Sequence, residues 1–192
     1  MSTERMVLHR PETRVPHGVI GILLFIITEL MFFTGLVSAY LISATSNPGV
    51  WPPANQPRLP GPITGVNTLV LLASGVLVFL AGRAWDQNRE RTRELLLAAF
   101  LLGGSFVGVQ GAEWAALIRQ GLTLTFSVHG SYFFLIVGSH AVHAIGALAA
   151  LFWAYRQQVK GALTQGGLWT VQLFWFFVVG VWPVLYYLVY LK

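Results

Sequence analysis

Gly21-Ile-Leu-Leu-Phe-Ile-Ile-Thr28-Glu29-Leu-Met-Phe-Phe-Thr34-Gly35 decides the fold, because it sets a lone carboxyl in a run that is otherwise apolar from Gly18 to Ser43. At ~1.5 Å of rise per residue, Glu29 lies roughly 16 Å into that run, near the midplane of a hydrocarbon core about 30 Å thick. An ionisable group at such depth marks a functional-site hypothesis by default.

The rest of the chain belongs to the same solvent. It is 55% hydrophobic and only 10% charged, too few polar groups for a water-facing surface. Five apolar segments, about 18–43, 63–85, 94–118, 126–155 and 168–191, each reach the length of a spanning helix. The expected fold is therefore an all-α, integral membrane, five-helix up-and-down bundle over residues 18–192, with 1–17 as a cytoplasmic N-terminal segment. Short connections fit this, since lipid requires each helix to satisfy its own backbone. The first run lacks a small-residue cleavage site and does not read as a signal peptide.

Charge supplies the orientation. Of the 12 basic residues, nine fall on one side: Arg5, Arg10, Arg14, Arg83, Arg89, Arg91, Arg93, Arg156 and Lys160. The other side has only Arg58, Arg119 and Lys192. By the positive-inside rule the N-terminus is expected in the cytoplasm and the C-terminus outside. The net charge of +5 is thus topology, and nucleic acid is not an expected partner. Absence of cysteine excludes disulfides, thiolate metal sites, iron–sulfur clusters and a thiol nucleophile. Residues 44–62 hold six of the nine prolines, which predicts a stiff outer strap serving either as a linker or as a docking surface.

Several polar groups are expected to share one depth. Ser74 on the second helix and His140 and His143 on the fourth fall near the level of Glu29, and an i, i+3 spacing sets both imidazoles on roughly one face. If helices 1, 2 and 4 pack together, Glu29, Ser74, His140 and His143 form one buried polar cluster, with Glu29 hydrogen-bonded to a histidine. Such a cluster serves as polar glue between helices, as a proton-conducting or proton-sensing group, or as a lipid or partner contact. Glu113 lies close to the outer end of the third helix and reads as an interfacial carboxylate near water. Trp51, Trp85, Trp114, Trp153 and Trp169 fall near helix ends, where amphipathic rings favour the headgroup layer. A haem held by two histidines needs an opposing imidazole at the same depth, and the sequence offers none. A metal held by the histidines and Glu29 finds no second carboxylate there. No cofactor or metal is expected in this chain, nor a catalytic centre of its own.

The stretch around Glu29 resembles the signature helix of subunit III of the haem–copper oxidases, the cytochrome c and ubiquinol oxidase family. Further pieces agree in order: Trp51-Pro-Pro, Asn67-Thr68, Leu71-Leu-Ala-Ser-Gly75, Gln110-Gly-Ala-Glu113-Trp114, Gly130-Ser-Tyr-Phe-Phe, Gly138-Ser-His140 with His143, and Trp175 with Trp182. The last helix departs from the family pattern, with Phe176 in place of the usual histidine and Val179 in place of the usual aspartate. Two N-terminal helices of the longer form are missing, so the likeness is to the short five-helix bacterial form.

The resemblance implies a non-catalytic subunit III of an aerobic terminal oxidase, a proton-translocating oxidoreductase, in the bacterial inner membrane. It implies packing on haem–copper subunit I, beside subunit II and subunit IV where present, with haem and copper in those partners. It also implies bound phospholipid and support of proton uptake and stability. Possible lipid or subunit contacts are Trp51, Arg58, Trp85, Trp114, Trp175 and Trp182. The rival readings are an accessory protein of a nitric oxide reductase or alternative quinol-oxidising complex, an assembly or anchoring protein of a different respiratory complex, and an independent small transporter or proton channel.

Overall fold

In a computed structural model, residues 16–46, 61–121, 125 and 127–191 are described. They form α1 (His17–Ser46), α2 (Gly61–Ala84), α3 (Arg89–Arg119), α4 (Val128–Val159) and α5 (Gln165–Tyr186), the last continuing as a π-helical turn, Tyr187–Leu191. All five are long and apolar enough to cross a membrane, and no strand occurs among the described residues. Trp51, Arg58 and most of the proline-rich strap lie outside the described residues; Pro62 falls in the first turn of α2.

Local chemistry accounts for where the helices begin. The run Arg89-Glu-Arg-Thr-Arg-Glu94 is charged yet helical, so α3 starts five residues before the apolar signal does. Asn88 caps it, accepting a hydrogen bond from the Arg91 amide at 2.9 Å. Ser127 and Thr164 cap α4 and α5 in the same way. At the far end of α4, Gly161 takes the left-handed conformation (φ 67°) that turns the chain toward α5.

Helices α2, α3, α4 and α5 close a four-membered ring in which each packs on its neighbours, and α1 lies outside it against α5 and α4. The inward stripes repeat every three or four residues: Thr92, Leu96, Ala99, Gly103, Phe106, Gln110, Glu113 and Leu117 on α3, and Phe133, Ile136, His140, Ala144, Ala147, Leu151 and Ala154 on α4. Glycine lets α5 close on its neighbours. Val179 packs against Gly75, the Gln172 side chain lies over Gly82, and the Trp175 ring covers Gly103. By contrast α1 buries only Val19, Phe33 and Tyr40, leaving residues such as Leu24, Ile27 and Met31 exposed.

Pro183 withholds an amide from the ladder of α5, and four residues later the helix widens to π hydrogen bonding. Val189 then points into the core, and Tyr190 reaches the Gln110 side chain.

Candidate functional site

The structure divides the single cluster expected of Glu29, Ser74, His140 and His143. Helix α1 docks on α4 and α5 and not on α2, so Ser74 lies across the ring from Glu29. The two histidines lie on adjoining strips of α4, and both rings pack on Phe33: the inward stripe runs through His140 and Ala144, and His143 falls beside it, turned toward α1.

Glu29 and His143 form a pair at the edge of the bundle. His143 Nε2 lies 3.0 Å from Glu29 Oε2, and 15% and 20% of the two side chains remain exposed. The other ring nitrogen, Nδ1, lies 2.7 Å from the Ser139 carbonyl. A carbonyl only accepts, so Nδ1 carries a hydrogen. The Nε2–Oε2 contact then requires one further proton, held either by the imidazolium or by the carboxylic acid. The pair is therefore a one-proton unit. Phe25, Phe33 and Phe177 pack around the imidazole. Its open side faces a recess of about 350 Å³ lined by Glu29, Phe32, Ser139, Val142 and His143.

Ser74 and His140 have other tasks. Ser74 donates to the Leu71 carbonyl at 2.6 Å and accepts from Trp175 Nε1 at 3.2 Å. Six residues earlier on α2 the same device recurs: Thr68 donates to the Thr64 carbonyl at 2.7 Å and accepts from Trp182 Nε1 at 2.9 Å. His140 is enclosed, with its ring centroid 5.0 Å from that of Trp182 and its Nε2 without a hydrogen-bond partner among the described residues.

Trp175 and Trp182 therefore depart from the lipid or subunit contacts expected of them. Each is 1% exposed, because α5 is central and its inward stripe passes through both. Trp85 is also buried, under the Arg89 guanidinium at 3.6 Å from the ring centroid. Trp114 is half-buried against Phe133 and Phe134. Of the expected headgroup tryptophans described, Trp153 and Trp169 are the exposed ones.

Glu113 is the larger correction. It is 9% exposed, and its Oε2 accepts from Thr64 Oγ1 at 2.9 Å and from Gln110 Nε2 at 3.1 Å. The second amide hydrogen of Gln110 serves Tyr190, whose hydroxyl lies 3.0 Å away. Asn67, nearby on α2, donates to the Phe106 carbonyl at 3.0 Å. One network thus ties α2, α3 and the end of α5. The signal was in the spacing, since Phe106, Gln110, Glu113 and Leu117 continue one stripe. Closeness to a helix end misled, because partners on two other elements cover that end.

The departures in the last helix also find places. Val179 is buried against Gly75, where a methyl fills the joint. Phe176 lines an apolar groove of about 430 Å³ between α1 and α5, with Phe33, Val37, Gly180 and Val184.

The fold and its joints define a polytopic helical membrane protein whose interior polar groups link helices. No group of three or more histidine, aspartate or glutamate side chains is placed to hold a metal among the described residues. The family model for cytochrome c oxidase subunit III matches residues 1–192. Cytochrome c oxidase subunit 3 of Pelomedusa subrufa and of Hippopotamus amphibius are each 33% identical over 179 residues, 88% of this chain and 67% of theirs. That of Balaenoptera musculus is 32% identical over the same extent. The chain belongs to the cytochrome c oxidase subunit III family, and spans about two thirds of the length of these relatives.

Proposed function

We propose that this chain is the non-catalytic subunit III of a respiratory terminal oxidase, packed on the haem–copper subunit and supporting its proton uptake, lipid environment and lifetime. The observation that carries this reading is the placement of the Glu29–His143 pair. Its carboxylate lies about midway along α1, the helix least buried within the chain, and the pair lines an open recess with Phe32, Ser139 and Val142. A one-proton unit in that position suits a neighbouring subunit better than an internal channel. The largely exposed face of α1 offers the surface on which such a neighbour, or lipid between the two, would rest. Haem and copper belong to the partner subunits in this reading. The arginine-rich end of the bundle lies in the cytoplasm, and the membrane is the bacterial inner membrane.

Copurification tests it. Tagged in its own membrane, the chain should bring down a large polypeptide with haem absorbance. Recovery as a haem-free self-oligomer would favour a transporter and overturn the proposal. In the intact complex, Glu29→Ala should leave the haem spectrum unchanged and modestly lower turnover or its persistence. Complete loss of turnover with normal assembly would instead make Glu29 an obligatory proton relay.

A further inference from the structure

Gln110, Glu113 and Trp114 stand at i, i+3 and i+4 on one side of α3, and the π-helical turn after α5 brings Tyr190 to them. Gln110 and Glu113 are 7% and 9% exposed, so each polar atom of the cluster needs a partner. Both amide hydrogens of Gln110 are used, on Glu113 Oε2 at 3.1 Å and on Tyr190 Oη at 3.0 Å. The Thr64 hydroxyl directs its hydrogen to Glu113 Oε2 at 2.9 Å. Two acceptors are left over: Gln110 Oε1 and Glu113 Oε1 are enclosed and have no donor among the described residues.

Two donors are left over as well. The Trp114 Nε1 hydrogen is enclosed without an acceptor among the described residues, and the indole nitrogen approaches the Tyr190 hydroxyl without the geometry of a hydrogen bond. Tyr190 Oη accepts from Gln110 and keeps its own hydrogen to give. Turning the Gln110 amide over does not close the count, because it sets one acceptor against another at Glu113 Oε2.

We propose that a single water molecule binds here as a fifth member of the network, accepting from Trp114 Nε1 and Tyr190 Oη and donating to Gln110 Oε1 and Glu113 Oε1. Two hydrogens and two lone pairs are what the four groups lack, and a buried water makes about three such bonds on average. A monovalent cation would suit the oxygens but would face the hydrogens of Trp114 and Tyr190. An anion would meet the Glu113 carboxyl. The site gives the π-helical turn a task, since the widened ladder after Pro183 is what carries Tyr190 to Gln110. The inference goes beyond the oxidase reading and does not rest on it, because it concerns only the joint of α2, α3 and the end of α5.

The test is electron cryomicroscopy of the purified complex at a resolution that shows ordered water. The wild type should show one peak within about 3 Å of at least three of the four atoms. Trp114→Phe with Tyr190→Phe removes both donors and should abolish the peak. Trp175→Phe deletes an indole donor that serves Ser74 elsewhere in the bundle, and should keep it.

Four atoms packed against protein with no peak between them would overturn the proposal, and this wild-type map decides alone should the double variant fail to fold. A peak that strengthens when potassium acetate is replaced by thallium(I) acetate would overturn it in favour of a monovalent cation. A peak unchanged in the double variant would overturn its assignment to these two donors. Because the peak is read within this chain whatever else copurifies, its failure is distinguishable from failure of the oxidase assignment.

Discussion

Glu29 and Glu113 both stand in apolar helical stretches, yet one carboxyl is locked in place by donors from two elements and the other meets a single histidine at the perimeter. Glu113 sits on the inward stripe of α3, accepts one hydrogen bond across to α2 from Thr64 and one from Gln110 on its own helix, and Gln110 in turn donates to Tyr190. Glu29 sits on a helix docked outside the ring, and its one partner among the described residues, His143, is stepped away from the inward stripe of α4. The difference teaches that depth in the membrane does not decide the task of a polar group. What decides it is whether the helix face it occupies is closed by this chain or left for something else.

The sharpest way to break the comparison is to put a carboxyl into a closely packed apolar joint. Val179→Asp restores the usual family residue, but Val179 packs on Gly75, so a loss of about 3 kcal/mol is expected in thermal unfolding of the purified complex. A stable variant would mean that α2 and α5 separate easily at that joint. Glu113→Ala should follow at about 1–2 kcal/mol, because the Thr64 hydroxyl and the Gln110 amide lose their shared acceptor. Trp182→Phe keeps most of the packing and deletes one bond to Thr68, predicting about 1 kcal/mol in the same assay. Full stability in Trp182→Phe would show that the bond to Thr68 does not tie α5 to α2. His140→Leu should fall within about 1 kcal/mol of wild type, since the buried imidazole is packed against Trp182 without a bond from Nε2. A large loss there would reveal that His140 holds helices together through a polar contact.

The helices were legible because apolar length is a strong signal. Their ends were less so, as the start of α3 shows: six residues, five of them charged, read as a loop until Asn88 is recognised as a cap. The two-histidine helix shows where periodicity must be followed beyond one pair. His140 and His143 are neighbours on a helix surface, but the stripe of buried residues includes only the first. Trp175 and Trp182 were read as lipid or subunit contacts from the resemblance, which does not say which helix is central. Position within α5 was the better guide, since that helix touches α1, α2 and α4 and has its tryptophans on the side that closes the ring. The partners of Glu113 were the least legible, because Thr64, Gln110 and Tyr190 meet only once three elements are placed in space.

The most direct test is to measure thermal stability and oxidase turnover side by side in complexes carrying Glu29→Ala or Glu113→Ala. The account predicts that Glu113→Ala lowers the unfolding temperature by several degrees, roughly 2–4 °C for each kcal/mol lost. It predicts that Glu29→Ala leaves that temperature nearly unchanged while turnover or its persistence falls. A Glu29→Ala complex that unfolds early, beside a Glu113→Ala complex as stable as wild type, would contradict it.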